Sequence, residues 1–437
     1  MTTQTKLIHS RRFLPLFVTQ LLGAFNDNLF KNAMAFYVVY TLYNSPDAEG
    51  TFSAVASALF ILPFVLFSAL AGQLADTHDK AAIIRVIKLC EIGIMLLGAA
   101  GLVMAWQGVA VDLAAVPLML AALFLMGVHS TFFGPIKYSI LPQHLPPDEV
   151  LAGTGLVEAG TYIAILAGTI LAGWIPIEWA AGGVLLTAVV GYAASRHVPP
   201  APPLEQARAL DLHFIRASNA LVRETLHDRR VFLAIMAISF FWTIGAVLFI
   251  QFGPLAKNVL TASKEVASLF LVIFSVGIAL GSVSVNALLK GEVSARYGPR
   301  AVLAMALFML GFYWVCRNWS PDPAGQLLDT AAFMARPEAI WLLLCLLGIS
   351  TAGGMFVVPL YAFLTTFVDK AQTSRTIAAN NIVNSLAMVV GSLMASALSL
   401  AGVPIVEQLL LSAAMCVVSA WIAAKLIAAE RLAAVTG

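Results

Sequence analysis

Asp27 and Lys31 stand four residues apart in the stretch GAFNDNLFKNA (23–33), which also holds Asn26, Asn28 and Asn32. Side chains at i and i+4 share one helix face. The acid and the base therefore offer either a self-neutralising pair that joins this segment to its neighbours, or a polar site for a charged ligand or ion. Asn28 and Asn32 repeat the spacing and add amide groups, and Asp27 by itself is a candidate proton site. Glu158, inside TGLVEAGTYIAILAG (154–168), suits an ammonium ligand or a gate lysine. Lys137 follows Gly134-Pro135. A proline bend would aim its ammonium as a point charge at a phosphate, with the Tyr138 hydroxyl beside it; an ordinary lysine at a span end is the alternative. Arg85, Lys88 and Glu91 step along at three-residue spacing and read as an ion-pair ladder near the end of a span, part of a gate. Asp76, in GQLADTHDK (72–80), can accept hydrogen bonds from the N-terminus of a neighbouring helix, where the dipole favours an anion. A solvated turn is the other reading of that loop. Asn380, Asn381 and Asn384 read as amides that bridge helices, and Lys257 in FGPLAKN (252–258) is a weaker candidate for the pathway.

These groups are unusual because of where they sit. The chain has 437 residues, 60% hydrophobic and 11% charged, whereas a soluble globular chain is about a quarter charged. Apolar runs of roughly 20 residues recur from end to end, the pattern of a polytopic α-helical membrane protein. Spans are expected near 13–42, 53–75, 82–106, 115–136, 150–173, 175–195, 231–255, 265–289, 299–317, 338–362, 376–401 and 404–427. The first run is too long for a signal-peptide core and reads as span 1. Of the 25 Lys and Arg, 20 fall on the tails and even-numbered loops, four on the other side, and Lys31 within a span. The positive-inside rule then puts both termini in the cytoplasm.

The expected organisation is a six-helix bundle over 1–195, a cytoplasmic connection over 196–230 and a second six-helix bundle over 231–437. The connection begins with the stiff VPPAPP (198–203). Beyond it, Phe214, Ile215, Ser218, Leu221, Val222 and Leu226 share a helical face, with Arg216 and Arg223 elsewhere. That pattern suits either an amphipathic helix lying on the inner membrane surface or a tether between the halves.

The halves repeat at offsets of 219 to 226 residues: GAFND (23–27) falls on GAVLF (245–249), GQLADTHDK on GEVSARYGP (291–299), GPIKYSIL (134–141) near VPLYAFL (358–364), and TGLVE (154–158) on NNIVN (380–384). Such duplication is expected of transporters. Asp27 then lies opposite Phe249, Lys31 opposite Gly253, Lys137 near Tyr361 and Glu158 opposite Asn384. One wall is charged and the other aromatic, with Phe240, Phe241, Trp242, Phe249 and Phe252 as its apolar surface. That pairing suits a substrate with a polar head and an apolar tail.

Other classes find little support. Cys90, Cys316, Cys345 and Cys416 are far apart, so they read as packing residues and neither a disulfide framework nor a metal site is expected. No P-loop GxxxxGK[ST] is present, and no cofactor or nucleic-acid partner is expected. An acyltransferase would carry a His and an Asp separated by four residues; His129 has Gly134 at that place and His144 has Glu149. The chain is not expected to be an enzyme. A proton-coupled exporter of amphipathic drugs, with Asp27 as the proton site, is the alternative transporter.

Twelve spans in two repeated halves, with G-x-L-A-D on the turn after span 2, resemble the major facilitator superfamily. Thr77 and Asp79 replace the Arg and Gly usual in that loop; the second copy keeps Arg296 and Gly298 but has Ala295 for the Asp. Within the superfamily, FNDNLFKNA (25–33), FGPIKYSILPQHL (133–145) and GTGLVEAGTYIAILAG (153–168) resemble the bacterial lysophospholipid transporters. The resemblance implies transport of lysophospholipids, mainly lysophosphatidylethanolamine, from the outer to the inner leaflet of the cytoplasmic membrane. An acyltransferase and acyl-carrier-protein synthetase then reacylate them. It assigns roles to Asp27, Lys31 and Lys137, and implies a gating role for Asp76 and Arg296. The reacylating partner is expected to be a separate protein, and the transporter a monomer among membrane lipids.

Overall fold

The computed structural model describes residues 3–43, 46–204, 210–320 and 327–436. Six long helices precede the connection: α1 Leu14–Tyr37, α2 Pro46–Thr77, α3 Lys80–Trp106, α4 Val116–Ser139, α5 Pro147–Trp174 and α6 Ile177–Ser195. Six follow it: α7 Arg229–Pro254, α8 Lys264–Leu289, α9 Gly298–Arg317, α10 Pro337–Phe367, α11 Thr373–Leu400 and α12 Ile405–Thr436. Eleven of the twelve are long and apolar enough to cross a membrane. The twelfth, α1, has the length at 24 residues, but Asn26, Asp27, Asn28, Lys31 and Asn32 lower its hydropathy. The outward surface is apolar, with Leu186, Leu307, Leu393 and Trp421 all more than 60% exposed. Apolar area spread along every long helix is a lipid-facing surface.

Local chemistry sets the ends. Asp79 caps α3, its carboxylate accepting from the Ala82 amide at 2.9 Å. Asp228 caps α7 through the Arg230 amide at 2.7 Å. Burial pushes the Asp228 carboxyl up, but the Arg230 amide and guanidinium outweigh it and hold the group below its ordinary range. Prolines occupy the first turns of α1, α4, α5 and α9, where the missing N–H has no helical partner to lose.

Contacts divide the chain into two compact units: 1–225 with 365–382, and 226–364 with 383–437. The start of α11 therefore belongs to the first unit and its remainder to the second. In the first unit, Leu29, Phe30, Met34, Met95, Leu102, Met119 and Met126 form the core. α5 lies so close to α1 that a Cβ at Gly168 would stand 2.6 Å from the Phe25 carbonyl oxygen; Gly168 lies on a buried face of small residues with Ala164 and Ala172, which permits this approach. The second unit centres on aromatic rings. Phe249, Phe252, Phe270, Phe274, Phe312 and Phe333 meet edge to face at 4.9–6.4 Å.

The linker helix, Phe214–Thr225, buries Ala217 and Leu221 against Ala69 of α2 and Ala378, Ala379 and Ile382 of α11. Ile215 is 78% exposed, because the helix turns its 217/221 edge toward the protein. The side chain of Phe214 and residues 205–209 lie outside the described residues. Gln73 accepts the Asp211 amide at 2.9 Å, and Asp211 holds Arg216 through two hydrogen bonds. That guanidinium keeps the Asp211 carboxyl below its usual range.

Candidate functional site

The polar residues of α1 separate by neighbour. Asn26 faces α3 and donates to Glu91 Oε1 at 2.8 Å. Asp27 faces α4 and accepts from the Ser130 hydroxyl at 2.6 Å. Asn28 returns its amide to the Ala24 carbonyl of its own helix, and Asn32 donates to Thr169 of α5 at 2.9 Å. Gln20 accepts from Thr161 of α5 at 3.0 Å. Asn28 and Asn32 thus belong to the seam with α5.

Asp27 and Lys31 do not form the direct pair that their spacing allowed. The Lys31 ammonium lies over the Phe60 ring of α2, 5.5 Å from its centre, a cation–π contact. Both residues are half-buried. Lys137 is half-buried too, with its ammonium 4.7 Å from the centre of the Tyr138 ring. α4 runs through Pro135 to Ser139, so the proline does not end the helix before Lys137. Glu158 is buried and accepts a hydrogen bond from the Tyr138 hydroxyl.

The ladder Arg85–Lys88–Glu91 is corrected. Of these three, only Lys88 and Glu91 pair with each other among the described residues, and both are about 1% exposed. They lie eight and eleven residues into α3, or about 12–16 Å along it at 1.5 Å per residue, well inside the span. Arg85 Nε is buried with no hydrogen-bond partner. His129 of α4 completes the cluster, its Nε2 3.1 Å from Glu91 Oε2. The Lys88 ammonium fills a slot bounded by two glycines, and a Cβ at Gly191 of α6 would stand 2.9 Å from its Cε. His129 and Ser130 were not singled out as site residues from the sequence. A lone His in an apolar run carries no spacing signal, and its partner lies on another helix.

Asp76 is buried in the first unit at the start of α11. Its carboxylate accepts from the Ser374 amide at 3.0 Å, the Arg375 amide at 3.1 Å and the Arg375 guanidinium at 3.0 Å. Ser374 also donates to the Ser139 hydroxyl of α4 at 2.8 Å. Asp76→Ala removes three charge-assisted bonds from a helix N-terminus, at a cost of about 2–3 kcal/mol. The expected result is 30- to 100-fold faster hydrogen exchange at amides 374 and 375 and a lower melting temperature in detergent; unchanged exchange would contradict the geometry. Arg296, which falls on Thr77 in the repeat, makes no such latch in the second half. It is exposed and pairs with its own neighbour Glu292 at 3.2 Å.

In the second unit Trp242 donates its indole N–H to the Tyr361 hydroxyl at 2.8 Å, and Ser239 donates to Asn384 at 2.7 Å. These tie α7 to α10 and α11 at the repeat counterparts of Lys137 and Glu158. Phe249 is partly exposed, while Phe241 and Phe252 are buried in the core and offer no free surface. Lys257 is exposed, on the π-helical turn Leu255–Val259 that ends α7.

Twelve membrane-length helices and an interior that carries acids and bases in one half define a polytopic membrane transporter. The profile of the Major Facilitator Superfamily matches residues 16–392, and the chain belongs to that family. It is 27% identical over 370 residues to the lysophospholipid transporter LplT of Serratia proteamaculans, covering 81% of this chain and 80% of the relative. It is 24% identical over 408 residues to LplT of Citrobacter koseri, covering 91% of each. Among solved structures, the human organic anion transporter MFSD10 superposes with a TM-score of 0.71 at 16% identity, over 94% of this chain and 99% of that one. The proton:xylose symporter XylE superposes at 0.66 with 14% identity, over 97% and 96%. At such identity the likeness to these two shows the fold alone.

Proposed function

We propose that the chain transports lysophospholipids such as lysophosphatidylethanolamine from the outer to the inner leaflet of a bacterial cytoplasmic membrane, by alternating access. The observation that carries this reading is the charge left over in the first unit. Once Lys88 and Glu91 are paired, Lys31 and Lys137 remain as cations and Asp27 and Glu158 as anions. None of the four has an ion-pair partner within 4.0 Å among the described residues. Charges inside a membrane span are costly unless matched. Two of each sign match a zwitterionic head group, with the lysines for the phosphate and the carboxylates for the ammonium. The likeness to the two LplT proteins over most of the chain supports the same substrate class.

In this reading 1–195 and 231–437 are the two moving bundles, 196–230 is their cytoplasmic tether, and both termini are cytoplasmic. Asp76 latches the start of α11 in one state and releases it in the other. Reacylation of the delivered lipid falls to a separate acyltransferase system. A proton-coupled exporter of amphipathic drugs is the second reading, favoured by the buried contact between Glu91 and His129 near Asp27. Uptake of labelled lysolipid into proteoliposomes, with and without a proton gradient, separates the two. Lipid movement without a gradient supports the first; a moving cationic dye and stationary lipid would overturn it.

A further inference from the structure

The second unit holds a largely apolar cavity with a few uncharged polar groups, and the charged wall does not include it. It has a volume of about 410 Å³, and its lining includes Gln251, Ser399, Val403, Ile405 and Gln408, a size suited to part of a small ligand. α7 and α11 finish at this end of the unit and α12 begins there. None of the described residues that line the cavity is charged.

A directed chain of amides crosses the cavity wall. The Val403 carbonyl can only accept, so the Gln408 group facing it at 3.1 Å must be the NH₂, which also donates to Ser399 Oγ at 3.0 Å. Gln408 Oε1 is thereby turned toward Gln251, whose Nε2 donates to it at 3.0 Å. The chain ends on Gln251 Oε1, an acceptor that is buried and has no hydrogen-bond partner among the described residues. A buried acceptor without a donor is costly, and this one belongs to a residue that is only 2% exposed and lines the cavity.

We infer that this cavity is a binding site for the glycerol hydroxyl of a single-chain phospholipid, with Gln251 Oε1 as its acceptor. The inference rests on the proposed function and orientation, in which this end of α7 faces the outer leaflet. A neutral acceptor among uncharged residues fits a hydroxyl; an ammonium would call for a carboxylate. Ile250, Ala395, Val403 and Ile405 provide apolar surface for the start of the acyl chain. The hydroxyl is what a lysophospholipid has and a two-chain phospholipid lacks, so Gln251 distinguishes the two before transport.

The test measures both binding and transport by the full chain. The probes are 1-acyl-lysophosphatidylethanolamine, its 2-deoxy analogue and its N-acetyl derivative. Binding is read by radioligand competition in nanodiscs and transport by uptake into proteoliposomes. The wild-type protein is expected to bind the 2-deoxy lipid roughly tenfold more weakly than the parent. Gln251→Met is expected to bind both at the weaker level, while responding to N-acetylation as the wild type does. Equal binding of the parent and 2-deoxy lipids by the wild type overturns the site, a comparison that needs no variant to fold. Retained discrimination in a folded Gln251→Met, or a Gln251 effect that follows the ammonium, also overturns it. Hydroxyl-dependent binding without transport of any lipid keeps the site and overturns the flippase; transport indifferent to the hydroxyl does the reverse. Neither binding nor transport overturns both.

Discussion

Asp27→Ala is expected to lower lysophospholipid uptake by roughly 100-fold, about 2.7 kcal/mol, with the protein still inserted and folded. Asp27 is half-buried, held by one hydrogen bond from Ser130, and not paired with Lys31. Its removal breaks no ion pair, so the fold loses little. What it removes is half of the negative charge available to a ligand ammonium, leaving Lys31 and Lys137 opposed by Glu158 alone. A charge-assisted bond to the ligand is worth about 1.5–3 kcal/mol, enough for the expected loss. Asp27→Asn separates charge from shape, because it keeps an acceptor for Ser130 but loses the anion, and it should fail nearly as badly. Lys137→Ala, which removes the proposed phosphate partner, is expected to fail likewise. Uptake is measured in proteoliposomes and normalised to protein in the membrane. Near-normal rates in Asp27→Ala and Lys137→Ala would remove both residues from the proposed pathway.

Lys88→Met is expected to act on stability. Lys88 and Glu91 are each about 1% exposed, and Glu91 also takes the Asn26 amide and lies against His129. Losing one member of a buried pair strands the other, at a typical cost of 3–5 kcal/mol. The variant should melt well below the wild type in detergent or fail to accumulate. The double variant Lys88→Met/Glu91→Gln removes both charges and should recover much of that loss, since uncharged side chains strand nothing. If Lys88→Met melts with the wild type, or the double variant is no better than the single, the pair does not hold α3 in place.

Much of the architecture could be read directly from residue types. Length, hydropathy and the placement of Lys and Arg located all twelve helices to within a few residues at most ends. The exceptions are instructive. α2 begins at Pro46, ahead of the expected 53. α12 runs to Thr436, past the expected 427, and α10 to Phe367, past 362. Both continue as helix beyond the apolar run, and backbone hydrogen bonding follows helix propensity, not the edge of the hydrophobic stretch.

The site was legible only in its membership. Residue types alone determined that acids and bases lie inside the spans, concentrated in the first half and replaced by aromatics and amides in the second. Which of them neutralise one another was decided by tertiary structure, for a geometric reason. Spacing along one helix allowed Asp27–Lys31 and an Arg85–Lys88–Glu91 ladder. Only Lys88 and Glu91 pair along their own helix; the other contacts come from neighbouring helices: Ser130 for Asp27, Phe60 for Lys31, and His129 and Asn26 for Glu91. Those partners are distant in sequence, and no period of 3.6 residues can register them. Helix crossings turned Asn28 and Asn32 toward α5, sent Phe241 and Phe252 into the core, and aligned Gln251, Gln408 and Ser399 into a relay with a free acceptor. The sequence by itself determined a charged, membrane-embedded half; the crossings decided which of its charges pair within the fold and which keep no ion partner among the described residues.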